Sequence, residues 1–370
     1  MRILQISSAR ALGGGERHLA DLVNALHERG HEVHLALAPK SPLIEELKTL
    51  PRERTNALRL RNALDAKSAV ELSRIVRQRE IEIVHAHMAR DYPLASFAAR
   101  SSKRARLVIT RHVLFPLSRI HTVTLSNVSR IIAVSQSVAR ALQAQNIFPA
   151  NKITIIPNGI DLSRFDAKAR GFKREAYLKR LQIAPERLLI GTVGEINRLK
   201  GQEDFLRAAA VVARRNAHVD FVIAGRDTSR TGEHLASLKK LVNELDLNAR
   251  VHFTGWLEDV APLLHALAIF VSASRTESFG LAIAEAMASG TPVISTATEG
   301  ARELIEENTG GLIVPVGDIE ALAAAMTMLI ENEEERKSLA AQAYQRVSQH
   351  FSLARMVAGT EQVYEEIMRD

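Results

Sequence analysis

The sequence predicts an α/β chain made of two doubly wound, Rossmann-like domains facing a central cleft. Three observations predict it. Short β-branched runs alternate with amphipathic helical patterns, the signature of parallel strands joined by crossover helices. Ligand-type turns follow strands in both halves, among them Gly13-Gly14-Gly15 early on and Glu277 to Gly280 late. At 370 residues, the chain is longer than a single core usually supports.

In the first half, strands are expected near residues 2–7, 32–37, 82–87, 106–112, 130–135 and 153–157. Between the first two, Leu19, Leu22, Val23 and Leu26 fall at i, i+3, i+4 and i+7, so 14–29 reads as a helix with one apolar stripe. Gly30 supplies its C-terminal stop. The second half carries strands near 188–194, 219–224, 251–254, 268–273, 292–296 and 311–315. The stretch 158–187 holds several charges, a proline and no strand pattern, so the boundary belongs there. The expected domains are 1–163 and 164–351, followed by a last helix over 352–370.

Doubly wound sheets bind ligands beyond the carboxyl ends of their strands, where helix N-termini converge. The turns there carry Gly13 to Gly15, His87, His112, Gly194 to Gly201, and Glu277 to Gly280. Neither half has the Gly-x-Gly-x-x-Gly dinucleotide fingerprint or the Gly-x4-Gly-Lys-Ser/Thr phosphate loop.

Composition narrows the function. Hydrophobic residues make up 46% and charged residues 25%, the balance of a soluble globular protein. The absence of cysteine excludes disulfides, thiolate metal sites and thiol catalysis. No signal-peptide cleavage pattern follows Met1 to Ser7, and no run approaches the length of a membrane span, so the cytoplasm is expected.

The net charge of +7 is unevenly spread. Residues 1–165 hold 25 Lys and Arg against 13 Asp and Glu, a net +12, whereas the remainder holds 24 against 29, a net −5. Basic clusters lie at Arg52, Arg54, Arg59, Arg61 and Lys67, and at Arg100, Lys103, Arg104, Arg106 and Arg111. Such a face favours anionic partners, either an acidic lipid surface or a phosphorylated glycan, and is equally compatible with a merely solvated surface. With 4% aromatic residues and no recognition motif, nucleic acid is not expected.

The most informative string runs from Ser274 to Gly290: a strand end, a turn and a helix, with seven residues between Glu277 and Glu285. Backbone amides of Phe279, Gly280 and Leu281 at the helix start can hold phosphate oxygens at the positive end of the dipole. Glu277 would repel that phosphate, so its carboxylate is expected to face neutral hydroxyls. At about 1.5 Å per residue the two glutamates stand roughly 12 Å apart, far enough for Glu285 to reach a ribose while Glu277 reaches a sugar across a pyrophosphate.

This string, Glu-x7-Glu followed by Ala286-Met287-Ala288-Ser289-Gly290-Thr291-Pro292-Val293-Ile294, resembles the retaining nucleotide-sugar glycosyltransferases of glycosyltransferase family 4, which have the GT-B fold. Similar agreement lies in Gly13-Gly14-Gly15-Glu16-Arg17, Ala133-Val134-Ser135, Ile156-Pro157-Asn158-Gly159-Ile160-Asp161, Phe253-Thr254-Gly255 and Gly300-Ala301-Arg302-Glu303. The resemblance runs nearly end to end.

The resemblance implies a donor site for a UDP- or GDP-sugar, with no further cofactor, contacted by Gly14, Gly15, Gly225, Leu257, Ser278, Phe279, Gly280, Leu281 and Glu285. It gives catalytic roles to His112, Arg198, Lys200 and Glu277, with Lys200 as the pyrophosphate-binding lysine. It also implies that the last helix returns to the first domain, that the acceptor is a glycan or lipid-linked hydroxyl, and that transfer retains anomeric configuration. The chain departs from the family pattern at Glu195, where arginine is usual, and Arg198 is expected to supply the second cation from a shifted position.

No metal is expected. Asp-x-Asp is absent, no compact His/Asp/Glu set is legible, and His85 and His87 read as facing opposite sides of their strand. Two alternatives stay open: a nucleotide-sugar epimerase of the same architecture, and a non-catalytic sugar-nucleotide-binding protein.

Overall fold

The computed structural model describes residues 1–47, 49–306 and 309–369. The chain divides into two units, Met1–Gly159 with Leu353–Asp370, and Ile160–Ser352. The first crossing therefore falls a few residues ahead of 163.

Among the described residues, unit 1 has seven strands: β1 (Arg2–Ser7), β2 (Glu32–Leu37), β3 (Thr55–Ala57), β4 (Ile83–Ala86), β5 (Arg106–Arg111), β6 (Val128–Ala133) and β7 (Ile153–Ile155). Its helices begin with α1 (Gly14–Glu28), α2 (Leu43–Glu46) and α3 (Ala66–Gln78), followed by α4 (Tyr92–Ala99), α5 (His121–Thr124) and α6 (Gln136–Ala144). The strands lie in the order β3-β2-β1-β4-β5-β6-β7, and every pairing is parallel. Helices on both faces explain why β1, β2 and β5 read as nearly continuous apolar runs. The α1 stripe of Leu19, Leu22, Val23 and Leu26 is fully buried, so truncating Leu22 to alanine costs about 2–5 kcal/mol.

Unit 2 repeats the plan with β8 (Leu188–Val193), β9 (Val219–Ala224), β10 (Val251–Gly255), β11 (Ile269–Ser272), β12 (Val293–Thr296) and β13 (Leu312–Val314). Its helices are α7 (Leu162–Ala169), α8 (Arg174–Arg180), α9 (Gln202–Arg215), α10 (Glu233–Glu244), α11 (Ala261–Ala266), α12 (Leu281–Ala288), α13 (Glu299–Leu304), α14 (Ile319–Glu331) and α15 (Glu333–His350). The sheet order is β10-β9-β8-β11-β12-β13, again all parallel. The stretch 158–187 thus holds two helices. Asp161 caps α7 by accepting from the Ser163 amide at 3.1 Å, a contact whose loss costs about 1 kcal/mol.

The last helix, α16 (Leu353–Arg369), belongs to unit 1 and packs against α1. Met356, Val357, Val363, Tyr364 and Ile367 join the same core as Leu19, Leu22 and Leu26. Among the described residues, no helix is long and apolar enough to cross a membrane.

Candidate active site

In each sheet the order of connection reverses once, between β1 and β4 in unit 1 and between β8 and β11 in unit 2. A crevice opens at such a point beyond the carboxyl ends of the strands. The chemistry-bearing side chains gather there.

In unit 2, the turn after β8 and the turn after β11 are locked together. Gly201 sits in the left-handed region with φ +63°, and a Cβ there would lie 1.9 Å from the Ala273 carbonyl oxygen. Only glycine permits that approach. The Arg275 amide donates to the Leu199 carbonyl at 2.8 Å, joining the same two turns by backbone. As a result Lys200 Nζ stands 2.6 Å from Glu277 Oε1, and Ser274 Oγ donates to that oxygen at 2.8 Å. Gly194 leaves room for the Lys200 stem, whose Cδ and Cε would lie 3.7 Å from a Cβ placed there.

Glu277 was expected to face neutral hydroxyls; it meets one, Ser274, and also the Lys200 ammonium. The ammonium has three N–H groups, and one of them serves Glu277. Gly280 adopts φ +96° ahead of α12, so the first amides of that helix are at the turn with no intrahelical acceptor of their own. Glu285 lies half-buried one turn further along α12, and Ser278 and Leu281 are half-buried while Phe279 is buried. Gly225 follows β9, where a Cβ would collide with the Gly194 carbonyl at 1.8 Å. The half-buried Leu257 follows Trp256, whose ring carries the Arg226 guanidinium at 4.8 Å.

Arg198 lies two residues before Lys200, in the same short turn. It is exposed and lines a separate cavity of about 450 Å³ with Asn197, Gln202, His234 and Arg275. Arg275 is itself paired with Asp204 at 3.0 Å.

In unit 1, Gly14 and Gly15 open α1, and the His112 ring lies 3.7 Å from where a Gly15 Cβ would be. His112 follows β5, is half-buried and has its pKa pushed well below the usual histidine value by burial and by nearby histidines. His87 Nδ1 lies 3.4 Å from His112 Nε2.

Two expectations about these histidines are corrected. His85 and His87 share one side of the sheet, with ring centroids 4.3 Å apart, because residues two apart on a strand point the same way. A compact ligand-type set also exists: His18, His87 and His112 each offer a ring nitrogen, all within 4.8 Å of one another. Sequence spacing hid it because three separate segments supply its members.

A buried hydrogen-bond chain lies behind His112. Gln5 Oε1 accepts from His87 Nε2 at 2.7 Å, and Gln5 Nε2 donates to the Tyr364 hydroxyl at 3.2 Å. That hydroxyl reaches His85 Nδ1 at 2.6 Å, and His85 Nε2 reaches Thr110 Oγ1 at 2.7 Å. Tyr364 on α16 thus ties the C-terminal helix to the polar floor of this site. None of Gln5, His18, Tyr364 or Thr110 belongs to a motif, and a polar residue inside an apolar strand, as Gln5 is, was the one available signal.

The basic residues divide as well. Arg111 is buried at the carboxyl end of β5, where its guanidinium donates to the Phe115 carbonyl. Arg100, Lys103 and Arg106, with Lys152, line a cavity of about 510 Å³ at the opposite, amino end of β5 and β6.

Two doubly wound units of one strand plan, each with polar groups gathered at its switch point, are the GT-B glycosyltransferase architecture. Residues 173–346 match the family described as glycosyl transferases group 1, and residues 12–164 match glycosyltransferase family 4. The chain belongs to this glycosyltransferase family and is a glycosyltransferase.

Relatives include the lipopolysaccharide core biosynthesis glycosyltransferase LpsE of Rhizobium meliloti, 27% identical over 92% of both chains. The lipopolysaccharide core biosynthesis mannosyltransferase LpsB of the same organism is 30% identical over 65% of this chain and 66% of its own. A glycosyltransferase structure from Rickettsia africae shares the fold with a TM-score of 0.88 at 23% identity, covering 100% of this chain and 99% of that one. HepE from Anabaena, solved with UDP, does so with a TM-score of 0.84 at 21% identity over 99% and 100%.

Proposed function

We propose that the protein transfers a hexose from a UDP- or GDP-sugar to a hydroxyl of a lipid-linked or lipopolysaccharide-type glycan, with retention of configuration and without a metal. The observation that carries this reading is the Lys200, Glu277 and Ser274 cluster at the unit 2 switch point, backed by the start of α12. Lys200 and the amides of Phe279, Gly280 and Leu281 hold the diphosphate, whose departure builds negative charge that fixed donors stabilise. Glu277 accepts from sugar hydroxyls and Glu285 from the ribose diol. Gly14, Gly15 and His112 serve the acceptor side of unit 1.

The bond from the anomeric carbon to the diphosphate oxygen breaks as the acceptor oxygen attacks from the same face. The acceptor proton passes to the departing phosphate oxygen. The products are a glycoside and a nucleoside diphosphate.

Relatives named for lipopolysaccharide core synthesis and a neighbouring structure solved with UDP-glucose support the donor and acceptor classes. The positive first half supports an anionic acceptor surface at the inner membrane face. Between β5 and β6, Phe115 and Ile120 on the loop and Val123 on α5 are exposed apolar residues near Arg119, a composition suited to lipid.

A panel of UDP-, GDP- and ADP-sugars, assayed for nucleotide release with and without glycan acceptors, tests the reading. Acceptor-dependent release of UDP or GDP that persists in EDTA supports it. Donor consumption without acceptor points to the epimerase, binding without turnover to the non-catalytic alternative, and loss of transfer in EDTA with rescue by magnesium or manganese refutes metal independence.

A further inference from the structure

Of the four histidines gathered in unit 1, His85 has both ring nitrogens engaged outside the cluster, by Tyr364 and Thr110, while His87 turns one to Gln5 and the other to His112. His18 is the opposite case. It is 4% exposed, and neither ring nitrogen makes a hydrogen bond of normal geometry, although the Asn158 side chain, whose oxygen is likewise left without one, lies close by. Such a group is costly to bury without a partner, and here it is aimed among other imidazoles.

The spacing of the neighbouring pair has a chemical meaning. Two nitrogen ligands at about 2.0–2.1 Å from a tetrahedral ion stand roughly 3.3–3.4 Å apart. His87 Nδ1 and His112 Nε2 are 3.4 Å apart, and a His18 nitrogen lies within 4.8 Å of both. The Gln5 carbonyl takes the proton on His87 Nε2, which leaves the Nδ1 lone pair directed at the cluster. A ligand histidine whose second nitrogen donates to a carbonyl is the usual outer support of a metal site.

Protonation is favourable as well. Burial lowers the His18 pKa to about 4, against an opposing pull from Asn158, and holds those of His87 and His112 well below the usual value. Burial thus favours the neutral imidazole, the form that ligates. The half-buried edge of His112 gives access. Three imidazoles with no carboxylate among them suit zinc, copper, nickel or cobalt and not magnesium or calcium.

We propose that His18, His87 and His112 form a three-imidazole site for a zinc-class divalent cation, and that filling it inhibits sugar transfer. The inhibition rests on the reading that His112 serves the transfer site; the binding does not.

The test titrates cobalt(II) alone into full-length, chelator-treated protein, follows visible absorption, and then displaces cobalt with zinc. One saturable equivalent with a tetrahedral cobalt spectrum is expected. His18→Asn should weaken it at least tenfold. Gln5→Met, which keeps all three ligands and removes only the support of His87, should weaken it about 10- to 100-fold. Circular dichroism confirms that each variant folds, and zinc should raise the melting temperature of the wild type more than that of either variant.

No saturable cobalt spectrum, or one unchanged in both variants, overturns the site. Zinc inhibition of transfer at the concentration that displaces cobalt, shifted upward in Gln5→Met, completes the proposal. Tight cobalt binding with an unaltered transfer rate leaves the site standing and overturns the inhibition, and with it the reading that His112 serves the transfer site.

Discussion

Lys200 and Glu277 hold each other at 2.6 Å, so each single substitution removes one charge from a pair and leaves the other uncompensated. Lys200→Ala should lower kcat/KM by about 10- to 100-fold, the consequence of losing a charged hydrogen bond of about 1.5–3 kcal/mol. Glu285→Ala should instead raise the donor KM or Kd, since the ribose is the partner proposed for its carboxylate. Steady-state kinetics and calorimetry with UDP or GDP separate the two, and equal effects on binding and turnover for both residues would contradict the division of roles.

The buried histidines make a second residue-scale prediction. The folded pKa of His18, about 4, lies below the unfolded value near 6.5, so the unfolded chain takes up the proton first as pH falls. The stability that neutral His18 contributes is whole above about pH 6.5 and is lost down to about pH 4, on the order of 3 kcal/mol. His85, with a pKa lowered by burial to about 3, adds a loss of the same sign over a slightly wider window. Urea unfolding between pH 7 and 4 should show stability falling with acidity, and His18→Gln should flatten that slope. An unchanged slope would show that His18 is not held neutral by burial.

At the scale of elements, the turns after β8 and β11 decide where the lysine and the glutamate meet. Gly201→Ala places a Cβ against the Ala273 carbonyl and in a left-handed conformation, so the backbone must move. It should cost more than about 1–2 kcal/mol of stability and lower donor affinity with it. A variant with wild-type melting temperature and donor affinity would show that this close approach does not set the site.

Elements were largely legible in the sequence because parallel strands covered on both faces leave apolar runs, and the twelve expected strands overlap observed ones to within about two residues. The edge strand β3 was missed: Thr55–Ala57 is short and only partly buried, so it leaves no apolar run. The helices α7 and α8 escaped because each buries a single residue, Phe165 in one and Leu178 in the other. Lys200, Glu277 and the α12 turn were legible because they sit in local strings at strand ends. The histidine cluster was not, because α1 and the segments at the ends of β4 and β5 bring it together only on folding, and because residues two apart on a strand share a side.

For the whole molecule, the strongest asymmetry is of charge. The net +12 of residues 1–165 should bind the protein to anionic vesicles through a few residues, each contributing on the order of 1 kcal/mol. Binding must weaken with salt, since the Debye length falls from about 10 Å at 0.1 M to about 3 Å at 1 M. Liposome flotation at both ionic strengths checks this, and equal recovery with neutral and anionic vesicles would favour a soluble acceptor.

The central claim is that unit 2 supplies the donor-diphosphate contacts through Lys200 and the turn at Glu277. Acceptor-dependent nucleotide release from the preferred UDP- or GDP-sugar, compared between wild type and Lys200→Ala, tests it most directly. The account predicts metal-independent release in the wild type and a fall of at least about tenfold in the variant, with its fold intact. Equal rates in the two proteins would contradict it.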